Sequence, residues 1–477
     1  MKVSVSLCAL LCATLQLHAQ KKIEGHWGKA YLDVAYATAA TDDGGYIITG
    51  LTKCGINDPY GDIFVVKLDA QADTMWTFTY GGPFLEGGNS VIQTADGGYL
   101  VAGHTQDFGA VDCDAFFMKL DKAGHHQWFR VYGGDADDIS EQVIQLADGG
   151  YVFAGITASY GNPPNDSTSR HVYFIRTDSV GDTTWTRYYA GGAQEEAFSI
   201  VAMPLGGFLA AGWSTSYGKG EYDGYLFRLK DNGDTLWTRL YQQNGNSRYY
   251  KIIPTTDNGY ILAGLTTADN ASKSKGLIIK LDANGNQLWE RKYGDGVHAV
   301  LFRDVAQLPD GDLMFTGQSF SVDTTGNVYV LTTDANGVMI TDELCGGIYS
   351  YATGIALQGN NSYLVAGTTA QYGDPYGDMY YMEEDNTISG VPGVSLAFPN
   401  LFPNPVTGIS SVILPEAEAY QTVSVAITDI DGRRVSAQEH VNAKDLTISR
   451  NELLPGVYLL QVSCSDGKVF KRRFTVK

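Results

Sequence analysis

Two residue types at recurring places in the chain could do binding chemistry. Phe108, Tyr160, Tyr217 and Tyr372 are each followed by glycine at the same offset within a repeated segment, and several such segments end in an acid, Asp62, Asp114, Asp223 or Asp378. Asp33, Glu86, Asp138 and Glu195 add carboxylates at the connections between units. Flat aromatic faces beside carboxylates can stack on a sugar ring and hydrogen-bond its hydroxyls, or hold a divalent cation. The same recurrence also suits a structural role, with tyrosines sealing loops and aspartates capping backbone amides of the next unit, because a repeat architecture repeats its packing residues.

Motifs for catalysis are missing. The chain has no Gly-x-Ser-x-Gly elbow, no His-Glu-x-x-His helix and no phosphate loop. Its eight histidines are scattered; His125 and His126 are adjacent but fall in a hairpin. The turns written Asp-x-Asn-Gly lack the ligand spacing and closing Glu of an EF-hand, so neither metal nor cofactor is expected. Carboxylate pairs are too plentiful in this acidic chain to single out a glycosidase pair.

The elements that must carry these residues follow from a period. Apolar runs end in Gly50, Gly103, Gly155, Gly212, Gly264, Gly317 and Gly367, at intervals of 50 to 57 residues. The fullest copy, Asp96-Gly97-Gly98-Tyr99 to Gly133-Gly134, contains four short β runs separated by turn residues, the content of one propeller blade. Asp43, Asp96, Asp148 and Asn258 mark a tight hairpin between the first two strands, and Gly124, Gly181, Gly233 and Gly285 mark a second hairpin before the last. The strand 2 to 3 loops and the blade-to-blade connections then share the opposite rim, where the aromatic and acidic residues lie.

Trp and Tyr recur four apart in the last strand of five units, from Trp76 and Tyr80 to Trp289 and Tyr293. The sixth unit lacks the pair, carrying Met339 and Ile340 near that place, and the seventh stops near Asp385 after three strands. Trp27 and Tyr31 stand alone near the start with the same spacing. The expected fold is therefore all-β: a seven-bladed β-propeller over 21–386, closed by the N-terminal strand pairing with the last blade.

A chain of 477 residues should divide into domains. Residues 1–20 read as a signal peptide, with an apolar run from Val3 to Leu17 and small Ala19 near the cleavage point. With 33 Lys and Arg against 53 Asp and Glu, the net charge of −20 argues against nucleic acid or anionic membrane as partners. Cys54, Cys113, Cys345 and Cys464 match no zinc motif; Cys54 and Cys113 occupy corresponding loops, but three pairings of the four remain open.

Residues 387–397 read as a linker, and 398–477 as a small antiparallel Ig-like β-sandwich. There Pro403-Asn404-Pro405, the turn from Asp429 to Gly432, the strand carrying Gly456 and Tyr458, and the basic final strand with Lys471, Arg472 and Arg473 occur in order. Together they closely resemble the type A C-terminal sorting domain of the type IX secretion system of Bacteroidota. That resemblance implies the type IX machinery as partner, export, and release or attachment at the cell surface. The repeats resemble Asp-Gly-Gly-Tyr propeller units of exported bacterial proteins, and Asp282 to Trp289 loosely resembles the tryptophan-docking repeat of quinoprotein dehydrogenases. The expectation is an exported binding or adhesion propeller for a glycan or protein ligand; an exported enzyme, carbohydrate-active or quinoprotein-like, is the alternative.

Overall fold

A computed structural model describes residues 22–27, 32–53, 60–110, 112–161, 170–218, 221–241, 245–267, 273–294, 298–320, 326–345, 349–358, 362–370, 377–385 and, in the C-terminal region, 400–402, 409–413, 422–429, 433–442, 447–449, 453–464 and 469–476. All regular structure among them is β-strand, and no helix is long and apolar enough to cross a membrane. Seven four-stranded antiparallel sheets follow one another as blades. The first is built from Asp33–Ala40, Tyr46–Thr52, Asp62–Leu68 and Thr74–Tyr80, and blades two to six lie in 86–132, 138–189, 195–240, 247–293 and 299–345. The seventh takes Tyr351–Leu357, Ser362–Thr369 and Asp378–Asp385, with Lys22–Trp27 as its fourth strand.

The hydrophobic core lies between blades, because each sheet is apolar on both faces and must be covered twice. Tyr99 and Phe116 of the second blade pack on Ile47 and Val65 of the first. Equivalent clusters fill every later interface, and Leu364, Met379 and Tyr381 of the seventh blade meet Tyr46, Phe64 and Leu68 of the first. A belt of backbone bonds follows the same ring. The first amide of each inner strand donates to the carbonyl at the start of the previous blade's third strand, as in Glu86 to Gly61 at 2.7 Å, Ser247 to Tyr222 at 2.8 Å and, across the closure, Asp33 to Gly377 at 2.9 Å.

The recurring Trp and Tyr grip the next blade. Tyr80, Tyr132, Tyr189, Tyr241 and Tyr293 donate their hydroxyls to the carbonyls of Gly124, Gly181, Gly233, Gly285 and Gly337, each in the following blade's second hairpin. The indoles of Trp76, Trp128, Trp185, Trp237 and Trp289 lie against the same glycines, which take positive φ. This explains the irregular sixth unit. The seventh blade borrows its last strand from the N-terminus and so has no second hairpin to grip; Thr341 and Cys345 occupy the Trp and Tyr places.

The closing strand is the expected segment in a different register. Trp27 pairs with Met379, the place that Tyr80 takes opposite Ile63, so Ile23 rather than Trp27 holds the Trp position. Gly25 leaves room for the Tyr381 ring, whose hydroxyl donates to the carbonyl of Ala72 in the first blade's hairpin at 3.1 Å. Tyr31 lies outside the described residues.

The periodic glycines have a specific cause. Each inner strand carries a β-bulge, with its register shifting around Tyr36, Asn89, Glu141, Phe198, Tyr250, Arg303 and Thr353. The bulge folds a carbonyl back over the second strand. A Cβ on Gly50, Gly103, Gly155, Gly212, Gly264, Gly317 or Gly367 would sit under 3.0 Å from the carbonyl oxygen of Val34, Gly87, Ile139, Glu196, Arg248, Leu301 or Tyr351 respectively. The first hairpins are pinned electrostatically: Lys67, Lys119 and Lys280, buried on third strands, pair with Asp43, Asp96 and Asp257 at 3.0, 2.9 and 2.7 Å. Burial acts to raise the Asp96 carboxyl, but hydrogen bonds from Thr94, Lys119 and the Gly98 amide hold it at about 2.

The C-terminal region forms a three-stranded sheet, Asn400–Phe402, Ile409–Ile413 and Thr447–Ser449, and a four-stranded sheet ordered Arg434–Asn442, Thr422–Asp429, Gly456–Cys464, Val469–Val476.

Because the bulge carbonyl cannot retreat without breaking the inner ladder, Gly155→Ala should destabilise the protein by about 3 kcal/mol or more. Gly192→Ala, where a Cβ meets nothing within 4 Å, should change stability by less than about 0.5 kcal/mol. Thermal or urea unfolding of the two variants checks this; equal effects would remove the bulge as the reason for the period.

Candidate functional site: the rim and the central channel

The rim aromatics lie against their own blades. Phe108, at φ 55°, packs on Phe129 with ring centroids 4.5 Å apart. Tyr160 stacks on Tyr188 at 5.7 Å and donates its hydroxyl to the Gly133 carbonyl at 2.8 Å. Tyr217 lies 5.6 Å from Tyr225. Phe108 and Tyr217 remain 47% and 45% exposed, while Tyr372 lies outside the described residues. Among the described residues no ring contact joins any two of Phe108, Tyr160 and Tyr217.

The rim acids enter the blade interfaces. Asp114, Asp223 and Asp378 are buried at the starts of third strands, and Asp62 is half-buried at the corresponding place. Asp33, Glu86, Asp138 and Glu195 are buried at the starts of inner strands. Asp62 faces Glu86, and Asp114 faces Asp138, across the small space beside Gly81 and Gly133. The inner-strand acids accept amides four residues upstream: Gly82 to Glu86 at 3.1 Å, Gly134 to Asp138 at 2.9 Å, Gly191 to Glu195 at 2.8 Å. Burial pushes Glu86 up to about 7, with the Gly82 amide opposing and the charge of Asp62 adding; burial likewise raises Asp138. At the third interface His171 replaces the first acid and places Nδ1 3.3 Å from Glu195. Cys113 is a buried thiol pushed up to about 12 by burial and then by Asp137; Cys54 lies outside the described residues.

A second arrangement escaped the sequence reading. A bulge re-aims the side chain of its extra residue, and the seven inner strands aim theirs at the ring centre. Tyr36, Asn89, Glu141, Phe198, Tyr250, Arg303 and Thr353 are all partly or fully exposed, while the residue before each is buried. Arg303 of the sixth blade lies over the Tyr250 ring of the fifth at 4.2 Å, and Tyr250 is 5.2 Å from Phe198 of the fourth. Burial, then Glu196, pushes Glu141 of the third blade up to about 7, and the charges of Arg303 and Arg170 oppose this. Tyr36 of the first blade is pushed to about 12 by burial, then by Tyr351 and Glu141. Influence of Glu141 on the first blade and of the sixth blade on Glu141 fits side chains that face one central channel.

Above the bulge ring, Arg170 binds Glu196 at 3.2 Å, and Arg248 lies over Tyr222 at 3.9 Å and Trp213 at 5.1 Å. Below it, toward the first hairpins, the inner strands of blades five to seven line a cavity of about 610 Å³ that includes Lys251, Asp304 and Gln307. The missed signal was present: each channel residue stands fourteen positions before its unit's glycine, from Tyr36 and Gly50 to Thr353 and Gly367.

Comparison with known proteins decides the tail. Residues 400–477 match the family described as the secretion system C-terminal sorting domain. The tail is thus a type IX sorting domain. In it Tyr458 is buried and donates to the Leu454 carbonyl at 2.7 Å, Gly456 opens its strand, and Lys471, Arg472 and Arg473 pair with Gln461, Leu460 and Leu459 on the last strand. Asp429 ends its strand opposite Tyr458; Pro403, Asn404, Pro405 and Gly432 lie outside the described residues. No curated protein matches the chain. Solved structures with a similar fold include an ulvan lyase of a new polysaccharide lyase family, at 9% identity over 75% of this chain and 95% of that one, TM-score 0.49. The β-propeller domain of the trilobed protease from Pyrococcus furiosus matches at 9% identity over 74% and 96%, TM-score 0.45. Sqt1 from Chaetomium thermophilum matches at 10% over 76% and 99%, TM-score 0.40. These are likenesses of fold alone.

Glu86 provides a pH test of the interfaces. Its folded pKa lies above the unfolded value, so its contribution to stability is present below about pH 4.5 and is lost as pH rises through about 7. Glu86→Gln stays neutral throughout, so its melting temperature relative to the unaltered protein should rise between pH 5 and pH 8. A flat or falling difference would show that the carboxyl is not held neutral by the interface.

Proposed function

We propose that the chain is an exported binding module, carried to the cell surface or medium by its sorting domain, that takes its ligand in the central channel. The observation that carries this reading is the contrast between repeated and unrepeated positions. Glycines, hairpin acids, Trp and Tyr recur from unit to unit because packing recurs. The seven bulge positions share one backbone geometry, yet hold six different residue types, with only tyrosine repeated, at Tyr36 and Tyr250. Aromatic, amide, hydroxyl and charged groups converging on one solvent-reaching concavity have the composition of a recognition site. The rim positions read from the sequence are a second candidate surface, on which Phe108 and Tyr217 are the exposed members.

The domain plan that accompanies this reading is a signal peptide at 1–20, a propeller over 21–386, a linker at 387–397 and the sorting domain over 398–477, its two sheets stacked as an Ig-like sandwich. One observation favours the enzymatic alternative: Glu141, with its pKa near 7 and Arg303 and Tyr36 close in the field, has the properties of a general acid or base.

A glycan array probed with the mature chain, with product analysis of every bound oligosaccharide, separates these readings. Binding without turnover, weakened about tenfold or more by Phe198→Ala or Tyr250→Ala at unchanged melting temperature, is the expected result. Turnover abolished by Glu141→Gln would make the chain an enzyme, and binding lost only in Tyr160→Ala or Tyr217→Ala would move the site to the rim.

A further inference from the structure

Among the described arginines of the propeller, two stand apart from those on the outer strands. Those on the outer strands have acceptors: Arg130 reaches Asp182 at 3.4 Å, Arg187 reaches Asp234 at 3.3 Å, and Arg239 reaches the Asn284 carbonyl and Asn286 at 3.1 Å. Arg303 and Arg248 differ. The guanidinium of Arg303 lies over the Tyr250 ring and that of Arg248 over Tyr222 and Trp213, as Arg239 lies over Trp237, but among the described residues neither Arg303 nor Arg248 has a hydrogen-bond or ion-pair acceptor. A guanidinium held over a ring keeps five donors in a fixed planar fork, the arrangement that matches a carboxylate or sulfate. The two acids nearest in the field do not fill that role: Glu196 is bound by Arg170, and Glu141 is coupled to Arg303 without an ion pair.

Arg248 lies two residues before Tyr250 on one inner strand, and Arg303 reaches the same Tyr250 from the neighbouring blade. One guanidinium therefore lies over the Tyr250 ring, and a second starts two residues away on the same inner strand and reaches Tyr222 and Trp213 of the fourth blade. Phe198 and Tyr36 add apolar faces at the same level of the ring, and Asn89 and Thr353, whose Nδ2 and Oγ1 donate to the carbonyls of Ser140 at 3.1 Å and Ala35 at 2.9 Å, add side-chain oxygens as acceptors. In a chain of net charge −20, two guanidiniums that form no ion pair among the described residues are a local exception, with Glu141 and Glu196 felt only through the field.

From this geometry we infer that the channel ligand is an acidic saccharide, whose ring packs on Tyr250 and Phe198 while its carboxylate or sulfate groups are taken by Arg303 and Arg248. The inference rests on the binding reading and narrows it. Flat apolar faces beside amide and hydroxyl groups suit a hydroxyl-bearing ring, and the forks select against the uncharged form of the same backbone.

The test is titration calorimetry on the mature chain with oligogalacturonate, sulfated galactan oligomers, uncharged galactan and glucan oligomers, and a polyglutamate peptide. Binding is expected for the acidic sugars, through the uronate, the sulfate or both, and the two acidic probes tell which anion is read. Affinity should fall with added salt and drop about tenfold or more in Arg303→Ala and in Arg248→Ala. Arg303→Lys should recover only part of the loss, because an ammonium lacks the fork. Melting temperatures of the variants report whether the fold is intact. Uncharged oligomers bound as tightly as acidic ones, or acidic binding indifferent to both arginine changes, would overturn the inference while leaving a binding module. Polyglutamate bound in place of the sugars would overturn the saccharide class, and no binding of any probe would overturn the inference and count against the channel reading itself.

Discussion

The close approach of a bulged inner strand to a glycine on the second strand is the constraint on which the rest of this structure depends. It occurs in every blade, with each glycine lying where a Cβ would enter the carbonyl of the bulge. It fixes the register of the two innermost strands, since only a residue without a side chain can lie beneath the fold in the backbone. It also turns one side chain per blade toward the axis. The same local feature therefore sets the period of the sequence, holds the inner ladder and builds the wall of the channel.

Around that inner ring the blades are held by relations that pass from each unit to the next. A tyrosine hydroxyl and an indole grip the following hairpin, an amide bonds back to the preceding third strand, and apolar clusters fill the space between. Because every unit needs a successor, the ends of the chain are the exceptional places. The sixth unit lacks its Trp and Tyr because its successor has no second hairpin, and the seventh reaches the first through Tyr381 and a borrowed strand.

Much of this was legible in the residues. The glycine period and turn chemistry gave seven four-stranded units, and the solitary Trp27 segment pointed to closure. Its register was not legible: spacing alone placed Trp27 with the other tryptophans, whereas the Tyr381 ring against Gly25 sets the strand four positions away. The rim residues were found because they recur, and recurrence reported their part in interfaces, as the buried Asp114 and Asp138 show. The channel residues were missed for the opposite reason. No one residue type is common to them, and a bulge breaks the two-residue alternation by which a strand's faces are read. Only the constant distance from Tyr36 to Gly50, repeated in each unit, marked them.

The sorting domain directs the protein outward, and in the proposed reading recognition falls to the propeller. The decisive measurement is hydroxyl-radical footprinting of the mature chain with and without a bound acidic oligosaccharide. A ligand read in the channel protects Tyr36, Phe198 and Tyr250 and leaves Phe108, Tyr160 and Tyr217 as reactive as before. Protection of the rim aromatics with the channel rings unchanged would contradict the account.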